Sequence, residues 1–468
     1  MNLKLDKLLS CVEIIFINDM MKSLSPRARA MGKGSKLQMN KVLNFNQLTP
    51  VKATDSMVSP YSNSILGSSS SSKLTSRIRV MSPKNTFNLS SKKKLKKIKR
   101  KLSPTSKNFN SGKLSLGEQL LPLPYNRAIE VFSGVLSKFE LCELAEYDEI
   151  YYTGLKANKI VPDANLKNYG FDDVLTQYAI IRGDHIAYQY EIYELLGAGS
   201  FAQVIKCWDH KSHKEVAIKV IKSHKKFTKP SETELKILLF LKKESEKRSS
   251  FHFVNILSCF EFRKHLCLVF ELLSFTLYDL LKANSFKGFS SGLIRRFCIQ
   301  LLQALSVLKQ SKIIHCDLKP ENVALVNPHE SAIKLIDFGS SCFENEKIYY
   351  YIQSRIYRAP EVILGVPYTC AIDIWSLGCI LVELSIGTPL FISENEEDQL
   401  NAIMEVLGNP PQALVETGLK AKKFLGPRGK IKNAATPTGK IRVPDSRRLE
   451  EILAGKDPVF VGFIKSKL

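Results

Sequence analysis

Three stretches, at 191–196, 203–208 and 215–221, alternate apolar with polar residues. Side chains two apart share one face of a strand, so the pattern predicts three half-buried β-strands in close succession. The period then lengthens. Residues 231–243 and 291–310 repeat apolar positions every three or four residues, and Leu293, Phe297, Leu301, Leu305 and Leu308 form one helical stripe. A further apolar helix is predicted over 373–386. Upstream, 129–165 predicts one or two short helices. Residues 408–448, rich in Gly, Pro and Lys, read as an insertion of loops rather than core. A strand-rich part followed by a helix-rich part gives an α+β arrangement.

Residues 1–115 sustain neither period and are rich in Ser, Asn and Lys, which predicts a disordered segment. They also carry most of the charge. Of a net +23 over 468 residues, this stretch holds 23 Lys/Arg against 4 Asp/Glu, so the remainder is nearly balanced. Eight of those cations fall within 92–101, a run expected either to engage a nuclear-import receptor or to stay a solvated tail. Aromatic residues for base stacking are scarce beside it, so no specific nucleic-acid partner is expected. The ten cysteines include no Cys-x-x-Cys pair and read as reduced thiols of an intracellular chain, cytoplasmic or nuclear. No apolar run reaches eighteen residues, so no membrane span is expected.

The chemistry lies in seven short strings in fixed order. Gly197-Ala198-Gly199-Ser200-Phe201-Ala202-Gln203-Val204 is followed by Val216-Ala217-Ile218-Lys219 and by an acidic helical segment with Glu232 and Glu234. Then come His315-Cys316-Asp317-Leu318-Lys319-Pro320-Glu321-Asn322 and Asp337-Phe338-Gly339, and last Ala359-Pro360-Glu361 and Asp373-Ile374-Trp375-Ser376-Leu377-Gly378. Phosphoryl transfer needs a carboxylate to orient the attacking hydroxyl, a cation on the phosphates and oxygen ligands for Mg²⁺. The set resembles the protein kinases, which implies a two-lobed fold with ATP and Mg²⁺ as cofactors. Asp317 is then the expected catalytic base, Lys319 the neutraliser of the transferring phosphoryl group, and Asn322 and Asp337 the metal ligands. Lys219 is expected on the ATP phosphates. A buried ammonium needs a counter-charge, for which Glu234 is favoured over Glu232. Gly197 and Gly199 are expected to let the backbone close over the phosphates, with Ala202 stiffening the turn. His315 is expected to pack beneath Phe338.

A narrower resemblance rests on His315 to Asn322, on Asp337-Phe338-Gly339-Ser340-Ser341-Cys342, and on Tyr349 to Glu361 with its Tyr-Tyr-Tyr-Ile-Gln-Ser-Arg start. These strings resemble the dual-specificity tyrosine-regulated kinases (DYRK) of the CMGC group. Asp184-His185 and Glu149 to Leu155 resemble the accessory region of the family's class II branch. The expected organisation is a tail over 1–115, an accessory region over 118–189 and a kinase domain over 190–468. The resemblance implies self-phosphorylation of Tyr351, with Arg355 and Arg358 pairing the phosphate. It also implies Ser/Thr substrates with proline after the target and arginine before it, read by Glu321. Phe270 resembles the family's gatekeeper, Glu271 and Leu273 line the adenine edge, and Leu196, Val204, Ala217 and Leu325 wall the ring. Ser82 and Ser103 each follow an arginine by three residues and precede proline, as self-phosphorylation sites would. The family continues past the position of Leu468, so the large lobe is expected to be truncated and Glu361 to lack a cationic partner. A weak, kinase-like scaffold is the alternative reading.

Overall fold

The computed structural model describes residues 121–247, 251–347, 351–436 and 438–468. The basic run at 92–101, Ser82, Ser103, Tyr349 and Tyr350 lie outside them.

Leu123–Pro124 (β1) pairs antiparallel with Glu149–Ile150 (β2), bracketing helices Tyr125–Phe132 (α1) and Lys138–Glu143 (α2). Ser137 starts α2 with a reciprocal cap. Its hydroxyl accepts from the Glu140 N–H, while the Glu140 carboxylate accepts from the Ser137 N–H. The first helix begins at Tyr125, four residues before the 129 expected, directly after Pro124, whose extended backbone belongs to β1. Ala128, Phe132, Leu144, Ile150 and Tyr188 form a separate core under this region. Lys159 pairs with Glu140 beside buried Asp184 and His185.

The small lobe is one six-stranded antiparallel sheet. His185–Ile186 (β3), Tyr190–Ala198 (β4), Ala202–Asp209 (β5) and Lys214–Ile221 (β6) follow in sequence. Ile256–Phe262 (β7) closes the edge beyond His265–Glu271 (β8), which lies against β6. Helix Thr228–Ser245 (α3) follows β6 and buries Ile237, Leu238 and Leu241. The accessory region is fastened to the sheet by Arg263, at a hairpin tip where it and Lys264 both take positive φ. Its guanidinium donates to both oxygens of Glu143 at 3.0 Å and to the Tyr178 hydroxyl at 3.0 Å, and stacks 3.9 Å from the Phe171 ring centre. Phe171 and Tyr178 then share a core with Ile192, Ile205 and Ile218 of the sheet.

The large lobe is helical: Leu277–Ala283 (α4), Ser291–Gln310 (α5), Pro360–Leu364 (α6), Ala371–Ile386 (α7) and Glu396–Leu407 (α8). Helix α7 is apolar nearly all round and is buried on all sides, as such a helix must be. Ile313–Ile314 (β9) pairs with Cys342–Phe343 (β12), and Val323–Leu325 (β10) with Ile333–Leu335 (β11), so the loops between them are held as short ladders. The 408–448 insertion is more than loops. It forms Gln412–Thr417 (α9) and Ala421–Phe424 (α10), buries Ala421, Phe424 and Leu425, and sends Arg442 between Asp398 and Glu405 of α8. One-turn helices and ion pairs leave no sustained period, so composition alone read as loop. Leu449–Ile452 (α11) and Pro458–Lys465 (α12) follow. No helix among the described residues is long and apolar enough to cross a membrane.

Candidate active site

The β6 register sets Lys219 opposite Val204 of β5 and Leu268 of β8. Its Nζ donates to Glu234 Oε1 at 2.6 Å and to Asp337 Oδ1 at 2.8 Å. Glu234 is buried on α3, whereas Glu232 is exposed, since residues two apart on a helix face different ways. Burial works to lower the Lys219 ammonium, but the two carboxylates outweigh it and hold it above the ordinary lysine range. Asp337, half exposed to the cleft, is held down to about 2, chiefly by Lys219. Burial pushes the Glu234 carboxyl up against the pull of Lys219. One ammonium faces two carboxylates, so the group retains an excess of negative charge.

Above this cluster the Gly199 N–H donates to the Ala202 carbonyl at 2.8 Å, closing the β4–β5 turn, and Gly197 pairs with Val204. Neither glycine takes a positive φ, and a Cβ on Gly197 would meet nothing within 4 Å. The turn therefore does not require glycine for its backbone; the missing side chains leave clear space above it. Ala202 packs with Ile221 and Phe227 in a small buried cluster that anchors the turn's base. Leu196 on β4 is half exposed, Ala217 on β6 lies opposite Phe270 on β8, and Leu325 on β10 is buried. The strand leaving β8 is tied to Leu325, with Ser274 N–H donating to its carbonyl and Leu325 N–H to Phe275, both at 2.9 Å. Neither the N–H nor the C=O of Leu273 takes a bond among the described residues. The Glu271 side chain turns away, accepting from Lys334 and from the Asn255 N–H.

The loop from His315 to Asn322 is strung between buried anchors. Asp373 on α7 accepts from the N–H groups of His315 at 2.7 Å and Cys316 at 3.1 Å, and Cys316 takes φ +64°. His315 packs on Phe338 with ring centres 5.0 Å apart. The Asp317 carboxylate is held from both sides. Lys319 Nζ (2.8 Å) and Asn322 Nδ2 (3.2 Å) donate to one oxygen, and the Ser354 hydroxyl (2.8 Å) and N–H (3.0 Å) donate to the other. Sequence places Asp373 and Ser354 in recognisable strings but assigns neither a role. Only their contacts mark them, made across separations of 37 and 58 residues. The Asn322 carbonyl accepts from the Ile336 N–H at 2.9 Å, which brings Asn322 and Asp337 to one side of the cleft.

Tyr351 is 64 % exposed, and its ring lies 3.9 Å from the Arg358 guanidinium. Arg358 is otherwise buried, donating to the Ile352 and Gln353 carbonyls and pairing with Glu396. Arg355 does not face Tyr351; it donates to the Ser393 and Glu394 carbonyls. Beneath, the Tyr357 hydroxyl donates to Glu383 at 2.7 Å. Burial, with a contribution from the nearby charge of Glu321, raises the Glu383 carboxyl to about 7 despite that bond. The Cys316 thiol meets Cys342 at 3.8 Å, and that contact and burial keep it protonated and neutral. Glu361 meets no cation among the described residues, and burial raises its carboxyl.

An antiparallel sheet over a helical lobe, with a lysine on the sheet bridging a helix glutamate and the aspartate of an Asp-Phe-Gly loop, defines a protein kinase. A family model described as "Protein kinase domain" matches residues 190–425. The chain is 46 % identical over 350 residues to human dual specificity tyrosine-phosphorylation-regulated kinase 4, covering 74 % of this chain and 67 % of that relative. It is 46 % identical over 359 residues to the Drosophila melanogaster kinase 2 of that name (76 % and 49 %), and 46 % over 340 residues to the rat kinase 3 (70 % and 58 %). It thus spans between about half and two thirds of these relatives' lengths. The chain belongs to the dual-specificity tyrosine-phosphorylation-regulated kinase family, and as a protein kinase it uses ATP.

Proposed function

We propose that this kinase phosphorylates its own Tyr351 and then serine or threonine in protein substrates with proline after the target and arginine before it. The observation that carries the reading is the Asp317 carboxylate, fixed between Lys319 and Ser354 with 17 % of its side chain exposed. Asp317 orients the substrate hydroxyl and takes its proton as the hydroxyl oxygen bonds the γ-phosphorus of ATP, whose bond to the β-phosphate oxygen breaks so that ADP leaves. Lys319 offsets charge on the transferring group. Lys219, set by Glu234, holds the ATP phosphates under the Gly197–Gly199 turn. Phe270, Glu271 and Leu273 line the adenine edge, and Leu196, Val204, Ala217 and Leu325 enclose the ring.

Asn322 and Asp337 are the residues that would hold Mg²⁺. The Asn322 amide nitrogen is engaged by Asp317 and its side-chain oxygen is uncommitted, while one oxygen of Asp337 is left free by Lys219. Two oxygen donors beside negative charge suit a cation that takes its other ligands from phosphate and water. Among the described residues no cluster of three His, Cys, Asp or Glu offers a protein-only metal cage. Bound there, Mg²⁺ would neutralise phosphate charge.

A phosphate on Tyr351 adds about two negative charges beside Arg358; Arg355 would have to leave its carbonyl partners to join. Glu321 supplies negative charge for a substrate arginine. The 92–101 run is proposed to bind an import receptor, giving a nuclear as well as cytoplasmic pool. The test is full-length wild-type and Tyr351→Phe protein made in bacteria, with phosphotyrosine mapped by mass spectrometry and peptide preference measured on a Ser/Thr library. Phosphate on Tyr351 and selection of Arg…Ser-Pro peptides are expected. An active enzyme lacking both overturns the specificity while leaving the kinase assignment intact.

A further inference from the structure

One corner of the small lobe has features that the phosphotransfer site does not use. The turn at Asp173–Gln177 is held by hydrogen bonds. Asp173 Oδ1 accepts from the N–H groups of Leu175 and Gln177 at 2.8 Å each, Asp173 N–H donates to the Gln177 carbonyl, and the Ser223 N–H donates to Thr176. The turn nevertheless presents two aliphatic side chains outward, Val174 at 97 % and Leu175 at 63 % exposure. They border a depression of about 230 Å³ floored by Phe227 and shared with Ser200 of the glycine-rich turn. Phe201, next to Ser200, is also partly exposed and stands edge-on to Phe227 at 5.5 Å.

The rim has one sign of charge. Lys222, His224 and Lys226 line it, with Lys225 and Lys229 beside them. Among the described residues none of these lysines has an ion pair; Lys226 lies over the Phe227 ring, and the His224 ring accepts from the Lys226 N–H. Of the nearby carboxylates, Asp172 is committed to His265, Asn168 and Ser223, while exposed Asp173 gives one oxygen to its own turn. Helix α3 begins here at Thr228 with no side-chain cap and no acidic residue in its first turn, which adds positive potential at the same place.

We propose that this corner docks an acidic polypeptide segment carrying one aliphatic or aromatic anchor residue, apart from the nucleotide cleft. The depression is smaller than the roughly 300–1,000 Å³ typical of small-molecule sites, so it takes a side chain rather than a cofactor. The unpaired lysines call for carboxylates or phosphates around that anchor. The chain's own residues 1–115 have the wrong sign, with 23 Lys/Arg against 4 Asp/Glu, so that region is not the occupant, and the segment is assigned to a partner protein. The aliphatic border disfavours nucleic acid, which would seek exposed aromatic faces. An occupant here touches Ser200, so docking also holds the glycine-rich turn.

The test is fluorescence anisotropy with full-length protein and a short fluorescein-labelled peptide of Asp, Glu and Ser around a single Leu. The basic N-terminal region binds any acidic peptide to some extent, so the comparison is between variants. Lys222→Glu with Lys226→Glu should weaken binding about tenfold or more, as two reversed surface charges do at moderate salt. Leu175→Ser, or Ser in place of the peptide's Leu at unchanged charge, should also weaken it severalfold, because each removes apolar contact. The variants should phosphorylate a short Arg…Ser-Pro peptide as fast as wild type, which verifies their fold. Equal binding by wild type and the double lysine variant overturns the proposal, as does indifference to the peptide's Leu. It also falls if an RNA oligonucleotide or an anionic phospholipid vesicle depends on these lysines more than the peptide does.

Discussion

Replacing Ser354 by Ala tests how the Asp317 carboxylate is held. The change removes one hydroxyl, which donates to Asp317 Oδ1 at 2.8 Å and lies 3.1 Å from Lys319 Nζ. A hydrogen bond to a charged group contributes about 1.5–3 kcal/mol. The Ser354 N–H at 3.0 Å and Lys319 at 2.8 Å remain on the carboxylate, so the loss belongs at the lower end, about 1.5–2 kcal/mol. At about 1.4 kcal/mol per decade, kcat should fall roughly ten- to thirtyfold. The bond orients the base and adds no grip on ATP, so the KM for ATP should stay within about twofold. Ser354→Thr keeps the hydroxyl and should recover most of the rate. The assay is steady-state kinetics of full-length protein on one fixed peptide, with thermal unfolding to verify the fold. A kcat unchanged in Ser354→Ala, a loss confined to KM, or a Thr variant as slow as Ala would refute the reasoning.

Arg263→Met should cost about 3 kcal/mol of stability, since it leaves the Glu143 carboxylate part-buried with only the Tyr188 hydroxyl as a neutral partner. Adding Glu143→Gln should restore part of that in chemical denaturation, and additive losses would count against a clamp. Glu383 gives a pH signature. Its carboxyl is raised to about 7, so the folded state holds a proton the unfolded state releases at lower pH, and stability falls as pH rises from about 4.5 through 7. Glu383→Gln should flatten that fall by up to about 3 kcal/mol, read as melting temperature against pH; parallel curves would show no such linkage. Glu234→Gln should lower kcat/KM at least about tenfold, whereas Glu232→Gln should leave it unchanged; equal effects would misplace the Lys219 partner.

The parts of this fold legible in sequence were those with a local signature. Alternation over 191–196, 203–208 and 215–221 became three strands with nearly those bounds, and the stripe from Leu293 to Leu308 became α5. Glu234 could be separated from Glu232 because helical spacing turns one inward and one outward. Ser354, Asp373, Arg263 and Arg442 act through contacts to residues at least 37 positions away, which no local period records. The 408–448 insertion was misread for the same reason, its core being one-turn helices and a buried Arg442 cluster. The glycine-rich turn was recognised for a conformational freedom that its backbone does not use.

The central claim is that Asp317, held by Lys319 and Ser354, is the group through which this chain transfers phosphate. The direct measurement is ³²P incorporation from ATP into an Arg…Ser-Pro peptide, with Mg²⁺, by purified full-length wild type and by Asp317→Asn. Asn keeps the size of the side chain but cannot accept the hydroxyl proton, and general-base loss of this kind costs about 10²–10⁴-fold. Robust transfer by wild type and a rate at least about a hundredfold lower in the variant is the predicted result. Equal rates, or no Mg²⁺-dependent transfer by folded wild type, would contradict it.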